Sequence, residues 1–407
     1  MNDLQRRRDR VLGPMMTTFY RDPVELVRGE GVWLWDAAGN RYLDAYNNVP
    51  HVGHGHPTVV EAVARQMATL NTHSRYLHEG IVAYAERLTA TFADGLDTLT
   101  LVCTGSEAND IALRIGWAAT GKKGIVATDA TYHGNTHLVS QLSAGRRPVG
   151  GRVDWVRRVP PPGGAVDGAA FAASIGAAID SLEADGHGFA ALILDPFLAN
   201  EGFPSLPPGA LDAAVALVRA RGGIVIADEV QPGFGRLGSH FWGHERMGFV
   251  PDVVTLGKPM GNGYPVAGVV TRRDLIAAFR EGFGYFNTFA ATPVAAAAAS
   301  AVLDVIESEG LQARAEEVGR ALRAGLGALD HPRIREVRGA GLFAGVVFDD
   351  DGEFTGEVVE RMRAAGVLMH YIGPGRNILK IRPPLVFGHE HVDMLVDRLG
   401  QVLKEMG

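Results

Sequence analysis

Between Thr98 and Thr271 the chain alternates short apolar runs with longer amphipathic stretches. The runs Thr98–Thr104, Gly124–Asp129, Ala190–Asp195, Gly223–Glu229, Val253–Leu256 and Val266–Thr271 lack polar alternation, as strands covered on both faces do. Helical periodicity separates them at Glu107–Ala119, Ala169–Leu182 and Ala210–Ala220. Strand, helix, strand in this order predicts a doubly wound, mostly parallel α/β sheet. The ends follow other patterns. Val32–Trp35 and Arg41–Asp44 flank the turn signal Ala37-Ala38-Gly39-Asn40 and predict a hairpin. From about Ala301 an Arg- and Glu-rich helix is expected, and Gly341–Phe348 and Ile378–Ile381 predict strands of a separate α+β unit. Pro160–Gly164 is expected to be a loop.

A chain of 407 residues, 46% hydrophobic, has room for a large core and two or three domains. Its net charge is −7 and its one basic run, Arg6 to Arg10, is short, so no nucleic-acid partner is expected. A single cysteine, Cys103, excludes a disulfide framework and a cysteine zinc cluster, and it suits a reducing compartment. The N-terminus lacks the apolar core of a signal peptide. The longest apolar run, Pro293–Leu303, is mostly alanine and stops at Asp304, too short to span a bilayer. A soluble, cytoplasmic protein without a membrane partner is expected.

Composition matters most at lysine. Of 39 cationic residues only five are lysine: Lys122, Lys123, Lys258, Lys380 and Lys404. Chemistry that needs a primary amine has five candidates. Lys258 ends a strand and opens a glycine-rich loop, Leu256-Gly257-Lys258-Pro259-Met260-Gly261-Asn262-Gly263. Desolvation there would lower its pKa and make it nucleophilic. An exposed turn lysine is the bland reading, weakened because surface cations here are nearly all arginine.

Three further motifs have similar alternatives. Thr104-Gly105-Ser106 joins a strand directly to a helix, where free N–H groups and the helix dipole can hold an anion; a plain Ser N-cap explains the same residues. Asp228-Glu229 ends a buried strand on the ligand-binding side of an α/β sheet; a simple strand-end turn would too. Gly233-Phe234-Gly235-Arg236-Leu237-Gly238 matches GxGxxG. It is not read as a dinucleotide site, because Pro232 intervenes, no helix follows, and Asp228 and Glu229 would repel a pyrophosphate. His51, His54 and His56 share a loop with Gly53, Gly55 and Pro57. Nothing there orients the rings, and no metal is expected.

Together these segments resemble the class III aminotransferase family of fold-type I pyridoxal-phosphate enzymes over nearly the whole chain. The matching stretches are GVWLWDAAGNRYLDAYNNVPHVGHGHP from Gly31, TGSEAND from Thr104, YHG from Tyr132, DEVQPGFGR from Asp228, GKPMGNGYP from Gly257 and FNTFAATP from Phe286. Their joint order and spacing are very specific. The resemblance implies a large cofactor-binding α/β domain, residues 51–305, and a small α+β domain built from residues 306–407 and the N-terminal segment 1–50. It implies pyridoxal 5'-phosphate carried by Lys258 and a carboxylate, Asp228, that keeps its pyridine nitrogen protonated. Gly105 and Ser106 match the phosphate cradle, Tyr132 the aromatic stacked on the ring, and Gln231 the side chain near the ring hydroxyl. Thr288 matches the hydroxyl that reaches the cofactor phosphate from the neighbouring subunit, which implies a homodimer with shared sites.

Within this family two outcomes share one proton removal: amino transfer, or loss of a β-leaving group. The stretches at Asn47 (NNVPHVGHGHP) and Leu70 (LNTHSRYLHEGIVAYAERL) are similar to the phospholyase branch acting on phosphoethanolamine or phosphohydroxylysine. Many family aminotransferases switch substrates with a Glu–Arg pair. The arginine position here is Lys380, and the glutamate position falls near Asn200 or at Glu201. The expected activity is a lyase releasing phosphate and ammonia from a small phosphorylated amine and leaving an aldehyde. An ω-aminotransferase and an ammonia-lyase acting on a hydroxy-aminoethylphosphonate are the alternatives. Arg75 is the first candidate for a substrate phosphate, since guanidinium binds it bidentately, although a surface ion pair would explain it equally; Lys380 and Arg382 follow.

Overall fold

The structure, a computed structural model, describes residues 3–143, 145 and 147–407. Near the N-terminus lie β1 (Leu26–Glu30), β2 (Trp33–Asp36) and β3 (Arg41–Asp44). The middle of the chain supplies β4 (Thr98–Val102), β5 (Gly124–Thr128), β6 (Val156–Val159), β7 (Phe189–Leu194), β8 (Ile224–Asp228), β9 (Val253–Leu256) and β10 (Ala267–Thr271). The C-terminal part carries β11 (Ile334–Ala340), β12 (Phe343–Phe348), β13 (Val367–Leu368), β14 (His370–Ile372) and β15 (Ile378–Ile381).

The six apolar runs all form strands, and they join β6 in one seven-stranded sheet of order β4-β10-β9-β8-β7-β5-β6. Neighbours from β9 to β6 pair in parallel. β10 is antiparallel to both β9 and β4, so β4 points the same way as β9. Helix Gly105–Thr120 packs its Ile111, Ala112 and Ile115 on one face of the sheet. Helices Gly168–Ala184 and Asp212–Ala220 cover the other. This two-sided cover is why the strands read as continuous apolar runs. It also places the C-terminal ends of β4, β5, β8 and β9 along one edge, where α/β sheets hold ligands. The alanine-rich run forms helix Pro293–Ser308, largely buried. Among the described residues no helix is long and apolar enough to cross a membrane.

The hairpin forms as expected, with Trp33 opposite Leu43, and gains β1 as a third strand. β13 adds to it in parallel, with Val367 opposite Leu43 and Leu368 opposite Asp44. The N-terminal strands therefore share a sheet with the C-terminal part of the chain. A second small sheet, β11-β12-β15-β14, is antiparallel throughout.

Arg236, inside the discounted glycine-rich turn, is fully buried. It donates to the Leu342 carbonyl at 3.0 Å and the Pro383 carbonyl at 2.8 Å, and faces His51 Nδ1 at 3.1 Å. His51 Nε2 in turn lies 2.7 Å from the Phe234 carbonyl. One guanidinium thus ties the loop after β8 to the small sheets. The neighbouring histidines have other partners: His54 pairs with Asp44 at 2.7 Å and His56 with Glu309 at 3.0 Å.

Removing Arg236 would strand two buried carbonyls, and each lost charge-assisted hydrogen bond is worth about 1.5–3 kcal/mol. Arg236→Ala is expected to lower unfolding stability by about 3 kcal/mol or more in urea titrations. A loss below about 1 kcal/mol would show that the guanidinium does not hold these parts together.

Candidate active site

Register places the two central groups side by side. In the β8–β9 pair Asp228 is opposite Thr255, and Lys258 follows three residues later, at the start of the 3-10 turn Lys258–Gly261. Both line a cavity of about 260 Å³ with Gly105, Ser106, Tyr132, His133, Gly134, Val230 and Gln231. Six of the seven cofactor positions expected from the sequence line this cavity: Gly105, Ser106, Tyr132, Gln231, Asp228 and Lys258.

Asp228 is held by three donors. Its Oδ2 accepts from Asn109 Nδ2 at 2.9 Å and lies 2.6 Å from His133 Nδ1. Its Oδ1 accepts from the Val230 N–H at 3.0 Å. Asn109 is itself fixed, because its Oδ1 accepts from Thr255 Oγ1 at 2.6 Å and its Nδ2 also donates to the His133 carbonyl. His133 Nε2 lies 2.9 Å from Thr131 Oγ1. Donors converging on a buried carboxylate keep it oriented. Sequence reading missed Asn109 and His133. The signal was present, since Asn109 lies in TGSEAND and His133 directly follows Tyr132.

The helix after β4 is capped by Thr104, whose Oγ1 accepts from the Glu107 N–H at 3.1 Å. The Ser N-cap considered for this turn is therefore Thr104 instead. Gly105 and Ser106 become the first helical residues, whose N–H groups have no intrahelical acceptor, and both line the cavity. Ser106 Oγ accepts from the Asn135 N–H at 3.2 Å. Gly134 has φ +138, and a Cβ there would lie 2.6 Å from Ser106 Oγ. A Cβ on Gly257 would lie 3.3 Å from the Gly105 Cα. The turn at Gly134 closes on the helix start only because that position is glycine, and a Cβ at Gly257 would crowd the same helix start. A phosphate, an aromatic ring and an aldehyde thus each meet suitable groups: helix N–H groups, the ring of Tyr132, a fixed carboxylate and an amine.

Lys258 is half-buried, and desolvation followed by the nearby Arg382 charge lowers its pKa from 10.5 to about 8. A substantial fraction is therefore neutral near physiological pH, as a nucleophilic amine requires.

Beside it lie two buried basic side chains. Lys380 Nζ donates to the Ala199 carbonyl and to Gln231 Oε1, both at 3.2 Å, and lies 5.3 Å from the Phe343 ring centre. Arg382 donates to the same Gln231 Oε1 at 2.8 Å and lies over the Tyr46 ring at 4.7 Å. Arg382 Nε is buried without a partner. Among the described residues neither cation forms an ion pair with a carboxylate. Burial, then the Arg382 charge, pushes the Lys380 amine well below its ordinary pKa. Of the two positions considered for a switch glutamate, Asn200 reaches the Tyr132 carbonyl at 3.4 Å and Gln231 at 3.5 Å. Glu201 is turned to Thr128, which donates to its Oε1 at 2.5 Å.

Two expected site residues lie elsewhere. Arg75 is exposed and stacks on Phe286 at 3.9 Å. Thr288 is exposed in the same region and does not line its own chain's cavity.

Residues 18–403 match the family model described as aminotransferase class III. A solved phospholyase from Arthrobacter in complex with phosphoethanolamine superposes with a TM-score of 0.96 at 43% identity, covering 100% of both chains. The ethanolamine-phosphate phospho-lyase homolog 1 of Caenorhabditis elegans is 36% identical, over 99% of this chain and 93% of its own. The alanine–glyoxylate aminotransferase 2-like protein of Drosophila melanogaster is 40% identical, over 95% of this chain and 84% of its own.

Trapping of Lys258 by a small aldehyde and borohydride should rise with pH through a midpoint near 8, following its lowered pKa. A yield that keeps climbing toward pH 10.5 would mean an ordinary, solvated amine. With a strand-end lysine, a fixed aspartate and a glycine-walled helix start in one cavity, and a match spanning residues 18–403, the chain belongs to the class III aminotransferase family.

Proposed function

We propose that the chain is a pyridoxal 5'-phosphate-dependent lyase that releases phosphate and ammonia from a small phosphorylated amine such as phosphoethanolamine. One observation carries the choice of lyase over aminotransferase. Lys380 and Arg382 are both buried and share one neutral oxygen, with no carboxylate paired to either among the described residues. Burial without a paired carboxylate penalises both charges and disfavours the charged form of Lys380, and a phosphate dianion would relieve that cost. A Glu–Arg switch would instead hold its own carboxylate against the cation, and Glu201 faces Thr128. The likeness to a phospholyase complexed with phosphoethanolamine supports the same reading.

Bound pyridoxal phosphate would supply an electron sink beside the carbon bearing the substrate amine. The residues of the chain divide the remaining work. Gly105 and Ser106 N–H groups would hold the cofactor phosphate, Tyr132 would cover the ring, Gln231 would lie near its hydroxyl, and Asp228 would keep a proton on the ring nitrogen. Lys258, neutral once displaced, would take the proton from the amine-bearing carbon. Lys380 and Arg382 would bind the substrate phosphate and stabilise it as it leaves with the C–O bonding pair. Addition of water then yields acetaldehyde, ammonia and inorganic phosphate from phosphoethanolamine.

The homodimer belongs to the same proposal. Tyr76, Leu77 and Phe289 are more than half exposed, and Arg75 and His73 both contact Phe286. These contacts join the segments around residues 76 and 289 into one apolar surface, suited to a second copy of the chain. Residues 51–305 would form the cofactor-binding domain, and residues 1–50 with 306–407 the smaller one, as the shared β3–β13 pairing supports.

Holoenzyme with phosphoethanolamine and no keto acid should release equal amounts of phosphate and acetaldehyde. Turnover only when pyruvate is added, with no free phosphate, would assign an aminotransferase instead. Phosphonate products from a hydroxy-aminoethylphosphonate alone would assign the ammonia-lyase. Lys380→Met should raise KM for phosphoethanolamine about tenfold or more, the worth of one charge-assisted hydrogen bond, with a smaller change in kcat. An unchanged KM would remove Lys380 from the phosphate site.

A further inference from the structure

Glu107 occupies the first turn of the helix that opens the cavity, yet its carboxylate points away from the cavity toward the segment 285–290. Oε2 accepts from the Cys103 N–H at 2.9 Å. Oε1 accepts from Tyr285 Oη at 2.8 Å and from Asn287 Nδ2 at 2.5 Å. Asn287 passes this anchoring on. Its Oδ1 accepts from the N–H groups of Phe289 at 2.9 Å and Ala290 at 3.1 Å. The amide is thereby oriented at both ends, nitrogen to Glu107 and oxygen to the turn. Thr288 sits inside that turn. Phe286, between the two Glu107 partners, carries Arg75 at 3.9 Å and His73 at 5.7 Å. One carboxylate therefore fastens the whole exposed rim to the start of the helix.

We propose that Glu107 is a positioning residue that acts across the dimer, holding the Asn287 turn so that Thr288 presents its hydroxyl to the phosphate-binding end of the neighbouring subunit's cavity. This rests on the homodimer reading above and on the role that the family resemblance implies for Thr288. Glu107 does not itself line its own chain's cavity, whose helix N-cap is Thr104, although through the Cys103 N–H it also braces the turn before that helix. The rim it orders is exposed within its own chain. Charge matters as well as shape, because one carboxylate meets three donors, and an amide at this position would set its NH2 group against one of them.

Hybrid dimers separate action within a subunit from action across subunits. In one arrangement Glu107→Gln and Lys258→Ala share a chain, and the partner chain is unchanged. In the other, Glu107→Gln stands alone on one chain and Lys258→Ala on the other. The readout is the pyridoxal phosphate concentration that gives half-maximal borohydride-trapped label, which can form only on the remaining Lys258. The first arrangement should raise that concentration about tenfold and the second less than threefold. The reverse ordering, or equal values near wild type, would overturn the proposal. Asn287→Ala, which cuts the same connection at the rim, should reproduce the ordering where Glu107→Gln folds poorly, and failure to do so also overturns it. Sedimentation of the wild-type holoenzyme as a monomer would remove the homodimer reading itself. A dimer in which neither substitution shows the first-arrangement loss leaves that reading intact and removes only the role of Glu107.

Discussion

The site is organised around two buried basic side chains, Lys380 and Arg382, that form no ion pair with a carboxylate among the described residues. Lys258, Lys380 and Arg382 lie close enough that the Arg382 charge depresses both amines. The oxygen shared by Lys380 and Arg382 belongs to a neutral amide, Gln231. The nearby acids are engaged elsewhere: Asp228 by Asn109 and His133, Asp195 by the N–H groups of Phe197 and Ala199, and Glu201 by Thr128. Such an arrangement costs folding free energy. It persists because the cations stand in rigid β15 and beside the sheet edge, and it leaves the cavity electrostatically complementary to a dianion.

The scaffold converts this field into position. Parallel pairing of β8 with β9 fixes Asp228 against Thr255 and hence against Lys258. The Thr255–Asn109 contact then links β9 to the helix after β4, so the groups suited to a ring nitrogen and to a phosphate are set by one hydrogen-bonded chain. Arg236 and the pairing of β3 with β13 bring β15, with Lys380 and its neighbour Arg382, to the same edge. Small shifts between the two parts of the chain would separate the amine from the paired cations.

Much of this was legible in the sequence because strand ends are legible. Apolar runs that stop at Asp228, or just before Lys258, mark the ligand edge of an α/β sheet, and the scarcity of lysine left one amine in the right place. Other features were not. β6 carries Arg157 and Arg158 and lacks the apolar continuity of its neighbours. The reversed direction of β10 leaves no trace in composition, since it is buried like the parallel strands. Arg75 looked like a phosphate ligand from residue type alone, but in the fold its guanidinium stacks on Phe286. The supports of Asp228 depend on contacts between residues far apart in sequence, such as Asn109 and Thr255, which no local pattern encodes. Glu201 could be placed beside Lys380 by spacing, whereas its side chain turns to Thr128.

Whether the buried cations exist to receive a dianion can be measured apart from turnover. Lys258→Ala protein loaded with pyridoxal phosphate lacks the proton-abstracting amine and keeps Lys380 and Arg382. Calorimetric titration with phosphoethanolamine and with ethanolamine compares ligands that differ only in the phosphate. A preference of at least a hundredfold for the phosphorylated amine, abolished by Lys380→Met combined with Arg382→Met, is the expected result. Equal affinity for the two ligands would contradict a site built around unpaired positive charge.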